Sequence, residues 1–265
     1  MTGTQARGGL RGLRAVVTGA GSVHGGLGNG RATAVLLARE GACVHVVDRD
    51  VDSARETVDV IESEGGTARA HEADVADEAD CARVCGAVAG QGQVAVLVNN
   101  VGVMGGPTAL SDLDLGEWDR ILRTNVTAAM VMAKHLAPAM PRGGAIVNLS
   151  SLAAHRVTGR LAYATSKAAV EGLTVALAGE LGPSGIRVNA VCPGSVWTPV
   201  VDTGDARDAG AARRQRVAAT LLGEEGTAWD TAHAVRFLAG PEARWITGQV
   251  LVVDGGASAR LAGVT

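Results

Sequence analysis

The chain has 265 residues, a net charge of −3 and 47% hydrophobic residues, yet only one tyrosine and one phenylalanine. That length fits one α/β domain with a large core, and charges of both signs without a basic stripe exclude nucleic acid as the main partner. Its 37 glycines cluster at loops without a period, which excludes collagen-like and low-complexity chains, and no apolar run reaches the about 18 residues that span a bilayer.

Residues 1–12 are polar and Gly/Arg-rich, with no apolar stretch behind them, so a flexible leader is expected rather than a signal peptide. From there strand-like apolar runs alternate with helix-like stretches. Strands are expected at 13–18, 43–48, 67–72, 94–99, 145–150, 186–191 and 249–253. Helices are expected at 30–40, 51–64, 77–89, 116–137 and 161–181. The strands are continuous Val/Ile/Leu runs, the mark of parallel strands covered on both faces. Repeated β-α-β units with right-handed crossovers build a doubly wound parallel sheet in one domain over 13–265. The least regular stretch, 200–226, is rich in Asp, Gly, Ala and Arg and is expected to be a substrate lid.

The first strand leads into a Gly-rich turn, Gly19 to Gly30, and then directly into the first helix. Glycines there let the backbone approach a pyrophosphate, and the helix N-terminus offers free N–H groups and a favourable dipole. The next strand ends in Asp48, a carboxylate that can accept both ribose hydroxyls of an adenosine and repel a 2′-phosphate. That favours NAD over NADP, while Arg49 beside it can hold a 2′-phosphate and argues the other way. The lone tyrosine, Tyr163, lies four residues before Lys167 in a helical pattern, so both side chains leave one face of the helix. A nearby ammonium favours the phenolate, which suits the tyrosine to proton exchange near neutral pH.

In order along the chain, Thr18-Gly19 with Gly28-Asn29-Gly30, Asp74-Val75, Asn99-Asn100-Val101-Gly102, Asn125, Asn148-Leu149-Ser150-Ser151, Tyr163-x-x-x-Lys167, Pro193-Gly194 and Asp254-Gly255-Gly256 resemble the short-chain dehydrogenase/reductase family over almost the whole length. The resemblance implies a Rossmann-type, seven-stranded parallel sheet. It also implies NAD(P)-dependent hydride transfer at a carbinol or carbonyl carbon, as in a secondary alcohol or ketone. Carried over, Tyr163 is the general acid/base and Lys167 lowers its pKa and binds the nicotinamide ribose. Ser151 bonds the substrate oxygen, and Asn125 holds a water linking Lys167 to solvent. Gly19, Gly28, Asn29 and Gly30 cradle the cofactor, Asp74 and Val75 meet the adenine, and Asn99 and Gly102 line its ribose. Pro193, Gly194, Val196 and Thr198 face the nicotinamide. The family commonly assembles as tetramers through the helices at 116–137 and 161–181 and the last strand, so a homo-oligomer, tetramer or dimer, is expected.

Three departures stand out. The Gly-rich turn is about five residues longer than the common form, Asn29 replaces an aliphatic residue, and Val101 stands where alanine is commonest. The serine has two readings. The Asn-x-Ser-Ser pattern points to Ser151, while counting back from Tyr163 lands on Ser150. Ser151 is preferred, because packing fixes strand register and loops absorb deletions.

Substrate contacts are expected from Met104, Arg156 and Trp197, with Arg160 a second cation at the rim. Trp118, Trp229 and Trp245 are expected to pack core or subunit surfaces. Neither the histidines, His24 and His155 among them, nor the four cysteines show metal spacing, so no metal is expected and the thiols read as buried and free. Free thiols fit a cytoplasmic protein. The leading function is an NAD-dependent dehydrogenase or reductase; the alternative is a non-catalytic nicotinamide-sensing regulator on the same fold.

Overall fold

The computed structural model describes residues 9–21, 26–197 and 209–259. Seven parallel strands form one sheet in the order β3-β2-β1-β4-β5-β6-β9. They are β1 (Arg14–Thr18), β2 (Cys43–Asp48), β3 (Thr67–Glu72), β4 (Val94–Asn99), β5 (Ala145–Leu149), β6 (Arg187–Pro193) and β9 (Val250–Val253). Two short strands, β7 (Val196–Trp197) and β8 (Gly226–Thr227), pair beside it. The helices are α1 (Asn29–Arg39), α2 (Val51–Ser63), α3 (Glu78–Ala89), α4 (Leu115–Leu122), α5 (Ala128–Leu136), α6 (Leu161–Leu181), α7 (Ala209–Ala219) and α8 (Ala228–Ala239).

The apolar strands feed two cores because successive side chains leave opposite faces. Val17, Val44, Val46 and Val98 pack with Val35, Leu37, Val235 and Leu238 of α1 and α8. Val16, Leu97, Ile146 and Val188 pack on the other face with Val84 of α3, Val131 and Met132 of α5 and Ala178 of α6. Covering both faces is what requires unbroken Val/Ile/Leu runs. The edge strand β3 lacks such a run and is only partly buried.

Two expectations are corrected, and two helices, α7 and α8, stand where none was expected. Residues 10–12, expected within a flexible leader, are ordered into the fold: Leu10 is buried in the α1/α8 core, and the N–H of Gly12 bonds the Gly41 carbonyl. Residues 1–8 lie outside the described residues. The single helix expected at 116–137 is two helices joined by a π turn, Arg123–Thr127. The region expected to be a substrate lid contains α7 and ends in β8, with 200–208 outside the described residues. Helix α8 was not foreseen, although its start carries a sequence signal: the Asp230 carboxylate accepts both the N–H and the hydroxyl of Thr227.

Arg187 shows how a charge enters the core. Its guanidinium, 8% exposed, donates to the carbonyls of Leu238, Ala239 and Gly240 at the C-terminus of α8. Those carbonyls lack helical partners and carry the negative end of the helix dipole, so the cation both caps the helix and is stabilised by it.

Candidate active site

The strand order reverses between β1 and β4, and the C-terminal edge there opens into a cleft of about 880 Å³. A crevice at such a switch point is where doubly wound sheets bind ligands. Every connection at that edge contributes to its wall, from the β1–α1 turn to the loop after β6.

The β1–α1 turn is shaped by contact. Gly19 has φ +61°, a left-handed conformation that glycine adopts without strain. Gly30 has no room for a side chain, since a Cβ would run into the Gly19 carbonyl oxygen. Gly28 has nothing within 4 Å of where its Cβ would stand, so it faces open cleft. Gly28 is also the N-cap of α1, which has neither a side-chain cap nor an acidic residue in its first turn. The N–H groups of Asn29 and Gly30 at the start of α1 are therefore left for an anion. Asn29 carries a buried amide oxygen without a partner. The glycine cradle and the first-turn N–H groups fit a dinucleotide pyrophosphate; the Asn29 oxygen, an acceptor, does not contribute to holding the anion. Residues 22–25, His24 among them, lie outside the described residues.

Asn100 locks this turn. Its Nδ2 donates to the carbonyls of Thr18 and Gly19 at 3.1 and 2.8 Å. Sequence reading assigned the cleft to Asn99 instead. Asn99 is buried, and its amide donates to Asn148 Oδ1 at 2.9 Å and to the Ala129 carbonyl. The cleft is lined by Asn100, Val101 and Gly102. The paired asparagines were visible as a motif; strand alternation sends the first into the core and leaves the second at the strand end.

Asp48 lines the cleft with Arg49 beside it. One carboxylate oxygen accepts the Gly21 N–H at 2.9 Å and the other accepts the Asp50 N–H at 3.2 Å, which fixes the side chain against the turn. Asp74 and Val75 line the cleft after β3. Asp74 accepts the Ala76 N–H, and its own N–H is held by Asp80.

Tyr163 and Lys167 both face the cleft from α6. Lys167 is 4% exposed and donates to the Leu149 carbonyl at 2.8 Å. Its Nζ stands 5.8 Å from the Tyr163 ring centroid. Burial pushes its pKa down to about 8. The expected depression of the tyrosine pKa is not what this geometry gives. Burial raises the Tyr163 pKa, opposed by a hydrogen bond from Ser151 and by the charge of Arg160. The lysine is turned to a main-chain carbonyl, not to the phenol, so desolvation outweighs attraction.

The two serines part company. Ser151 meets the Tyr163 hydroxyl and lines the cleft at the cap of the Leu152–His155 turn. Ser150 also touches the cleft, but its hydroxyl is committed to Glu171 Oε1 at 2.7 Å and the Lys167 carbonyl at 3.2 Å.

Asn125 sits in the π turn and is 2% exposed. Its Oδ1 accepts the Val103 N–H at 2.8 Å, and its Nδ2 donates to the Val103 carbonyl and to Ser166 Oγ, both at 2.9 Å. The side chain thus ties the loop after β4 to α6, and its polar atoms are all used. Gly102 is pressed against this group, with Lys167 Nζ 3.1 Å from where a Cβ would stand.

After β6, Pro193, Gly194 and Val196 line the far end of the cleft. Gly194 packs so tightly on Asp254 that a Cβ would come within 2.6 Å of its Cβ, which is why the Pro-Gly and Asp-Gly-Gly turns occur together. Thr198 lies outside the described residues, and of Trp197 only the backbone, paired with Thr227, is described. Met104 lines the cleft. Arg156 does not; it is exposed and acts on Asp254. Trp229 stacks on Arg39 against the core, whereas Trp245 is 91% exposed.

Comparison with known proteins agrees with this geometry. Residues 25–258 match the family model described as Enoyl-(Acyl carrier protein) reductase. The chain is 41% identical over 248 residues to the short-chain reductase protein NovJ of Streptomyces niveus, covering 91% of this chain and 92% of that one. It is 34% identical to the cyclohexanol dehydrogenase of an Acinetobacter species, covering 91% and 93%. A short-chain dehydrogenase from Burkholderia cenocepacia, solved in complex with NADP, superposes with a TM-score of 0.83 at 39% identity, covering 94% of this chain and 99% of that one. The chain belongs to the short-chain dehydrogenase/reductase family, as an oxidoreductase that acts on CH–OH groups with a nicotinamide cofactor.

Proposed function

We propose that Tyr163 is the general acid/base of hydride transfer between NAD(H) and a secondary alcohol or ketone. The observation that carries this reading is the meeting of Tyr163, Ser151 and buried Lys167 in one cleft with a glycine cradle at its other end. When bound, the nicotinamide supplies or accepts the hydride. In reduction the Tyr163 hydroxyl gives its proton to the nascent alkoxide; in oxidation the phenolate removes the alcohol proton. Ser151 donates to the same substrate oxygen and stabilises the charge that develops on it. Lys167 holds positive charge beside the phenolate and offers its ammonium to the nicotinamide ribose. Because the Asn125 side chain is fully engaged, we assign the relay water to its main-chain carbonyl, which the π turn removes from the regular helical ladder.

Gly19, Gly28, Asn29 and Gly30 hold the pyrophosphate, Asp74 and Val75 the adenine, and Gly102 the adenine ribose. Pro193, Gly194, Val196 and Thr198 flank the nicotinamide. Asp48 selects NAD: its fixed carboxylate repels a 2′-phosphate, and this outweighs the exposed Arg49. Met104 shapes the substrate end. Trp197 belongs to the same end, whereas Arg156, which does not line the cleft, is left out of the substrate site. The four cysteines are free thiols, which suits the reducing cytoplasm.

Titration with NADH and NADPH, followed by turnover on a panel of alcohols and ketones, tests this assignment. Tighter NADH binding with turnover is expected. Preference for NADPH would assign the 2′-phosphate to Arg49 and overturn the role given to Asp48. Tight NADH binding without any turnover would favour a sensing protein.

A further inference from the structure

Behind the catalytic pair, three donor side chains converge from separate elements. His155 belongs to the Leu152–His155 turn, Glu171 follows Lys167 by one turn of α6, and Cys192 is in β6. One ligand atom from each lies within 4.8 Å of the other two. His155 Nε2 is 3.0 Å from Glu171 Oε1. The histidine side chain is 47% exposed, the glutamate 15%, and the cysteine is fully buried, so the cluster runs from solvent inward to the thiol.

Imidazole, carboxylate and thiolate together are the donor set of a borderline-soft divalent cation. Tetrahedral zinc at its usual bond lengths places its donors about 3.5 Å apart. The His155–Glu171 pair at 3.0 Å is already near that spacing, and with no pair beyond 4.8 Å a movement of little more than about 1 Å completes it. Glu171 and Cys192 stand on regular elements, and the short turn carrying His155 is the part that adjusts. The carboxylates of Glu171 and Asp254 act on the Cys192 thiol alongside the ammonium of Lys167, and the Ser150 hydroxyl donates to the same Glu171 Oε1, leaving its second oxygen for the ion.

We propose that His155, Glu171 and Cys192 form a binding site for a zinc-type divalent cation, with a fourth position open to water. On binding, the metal gains bonds to the imidazole nitrogen, a carboxylate oxygen and the sulfur, and the thiol proton leaves to solvent; nothing is oxidised or reduced. The ion ties the turn that joins Ser151 to Tyr163 onto α6 and β6, and so acts on the catalytic groups by holding their connection. The site rests on no assignment of the reaction.

Cobalt(II) serves as the probe, because thiolate ligation gives a near-ultraviolet charge-transfer band in addition to the visible bands. Chelator-treated full-length protein is titrated with cobalt chloride and then with zinc chloride. The expected result is both sets of bands, abolished by zinc. The charge-transfer band is lost in Cys192→Ser. Losing a direct ligand costs at least the about tenfold in affinity that losing an outer partner costs, so His155→Ala and Glu171→Gln both weaken binding by that factor or more. The absence of bands, or a spectrum unchanged in Cys192→Ser, overturns the site. If Cys192→Ser does not fold, an affinity unchanged in both His155→Ala and Glu171→Gln overturns it equally, and bonds within the protein alone then account for the cluster.

Discussion

Ser150 and Ser151 are neighbours in sequence with opposite prospects. Ser150 is 4% exposed and its hydroxyl is held by Glu171, while Ser151 meets the tyrosine. Removing a group that stabilises charge in the transition state costs about 10²–10³-fold in turnover. Steady-state kinetics of Ser151→Ala should show a loss of that size. Ser150→Ala should show a far smaller one, with a lower melting temperature because the buried Glu171 contact is broken. The reverse ranking would contradict the assignment. The same pair shows what single residues reveal in a sequence. The Asn-x-Ser-Ser pattern pointed to Ser151, the serine that stands beside Tyr163, because strand alternation decides which side chain reaches the edge, whereas counting from Tyr163 crosses a shortened loop. Asn99 and Asn100 went the other way: Asn99 was read as the cleft residue, and its burial between β4, β5 and α5 leaves that place to Asn100.

At the scale of elements, periodic segments were legible and interruptions were not. Strands β2, β3 and β4 and helix α6 fall where apolar period and turn residues place them. The π turn at Asn125 was hidden because one extra residue leaves the apolar pattern on either side of it intact. Helix α7 was masked by its Ala/Arg-rich composition, and α8 by the irregular stretch that precedes it, although Thr227 and Asp230 announce its start. The pairing of β2 with β3 carries a consequence for acid stability. His45 is completely buried, and its Nδ1 lies 2.8 Å from His71 Nε2. Burial, then the charges of His71, Arg14 and Arg69, push the His45 pKa from 6.5 down to about 4, and burial lowers His71 as well. A base whose folded pKa lies below its unfolded value contributes stability above the unfolded pKa. That contribution is lost as pH falls from 6.5 toward about 4. The loss from His45 is of order 3 kcal/mol. Urea midpoints should fall across this window in the native protein. His45→Leu should flatten the fall, and an equal fall in both proteins would contradict the assignment.

The whole molecule leaves apolar surface at one edge. Trp245 is 91% exposed and Val175 57%, and Leu251 and Val252 of the edge strand β9 are 37% and 40% exposed. Exposed apolar groups of this size favour association. We propose a homo-oligomer, a tetramer or dimer, that covers them. Sedimentation at micromolar concentration should give a multiple of the 26.7 kDa chain mass; a monomer at all concentrations would contradict it. No helix among the described residues is long and apolar enough to cross a membrane. The sheet, its switch-point cleft and the tyrosine–lysine pair were all legible in the sequence. The true state of the pair was not, since burial and the Leu149 carbonyl are set by the fold. The central claim is that this cleft transfers hydride with Tyr163 moving the proton. It is tested most directly by measuring turnover and NADH affinity in Tyr163→Phe. The account predicts turnover reduced about 10²–10⁴-fold, the usual worth of a general acid/base, with NADH affinity unchanged. Turnover equal to the native protein would contradict it.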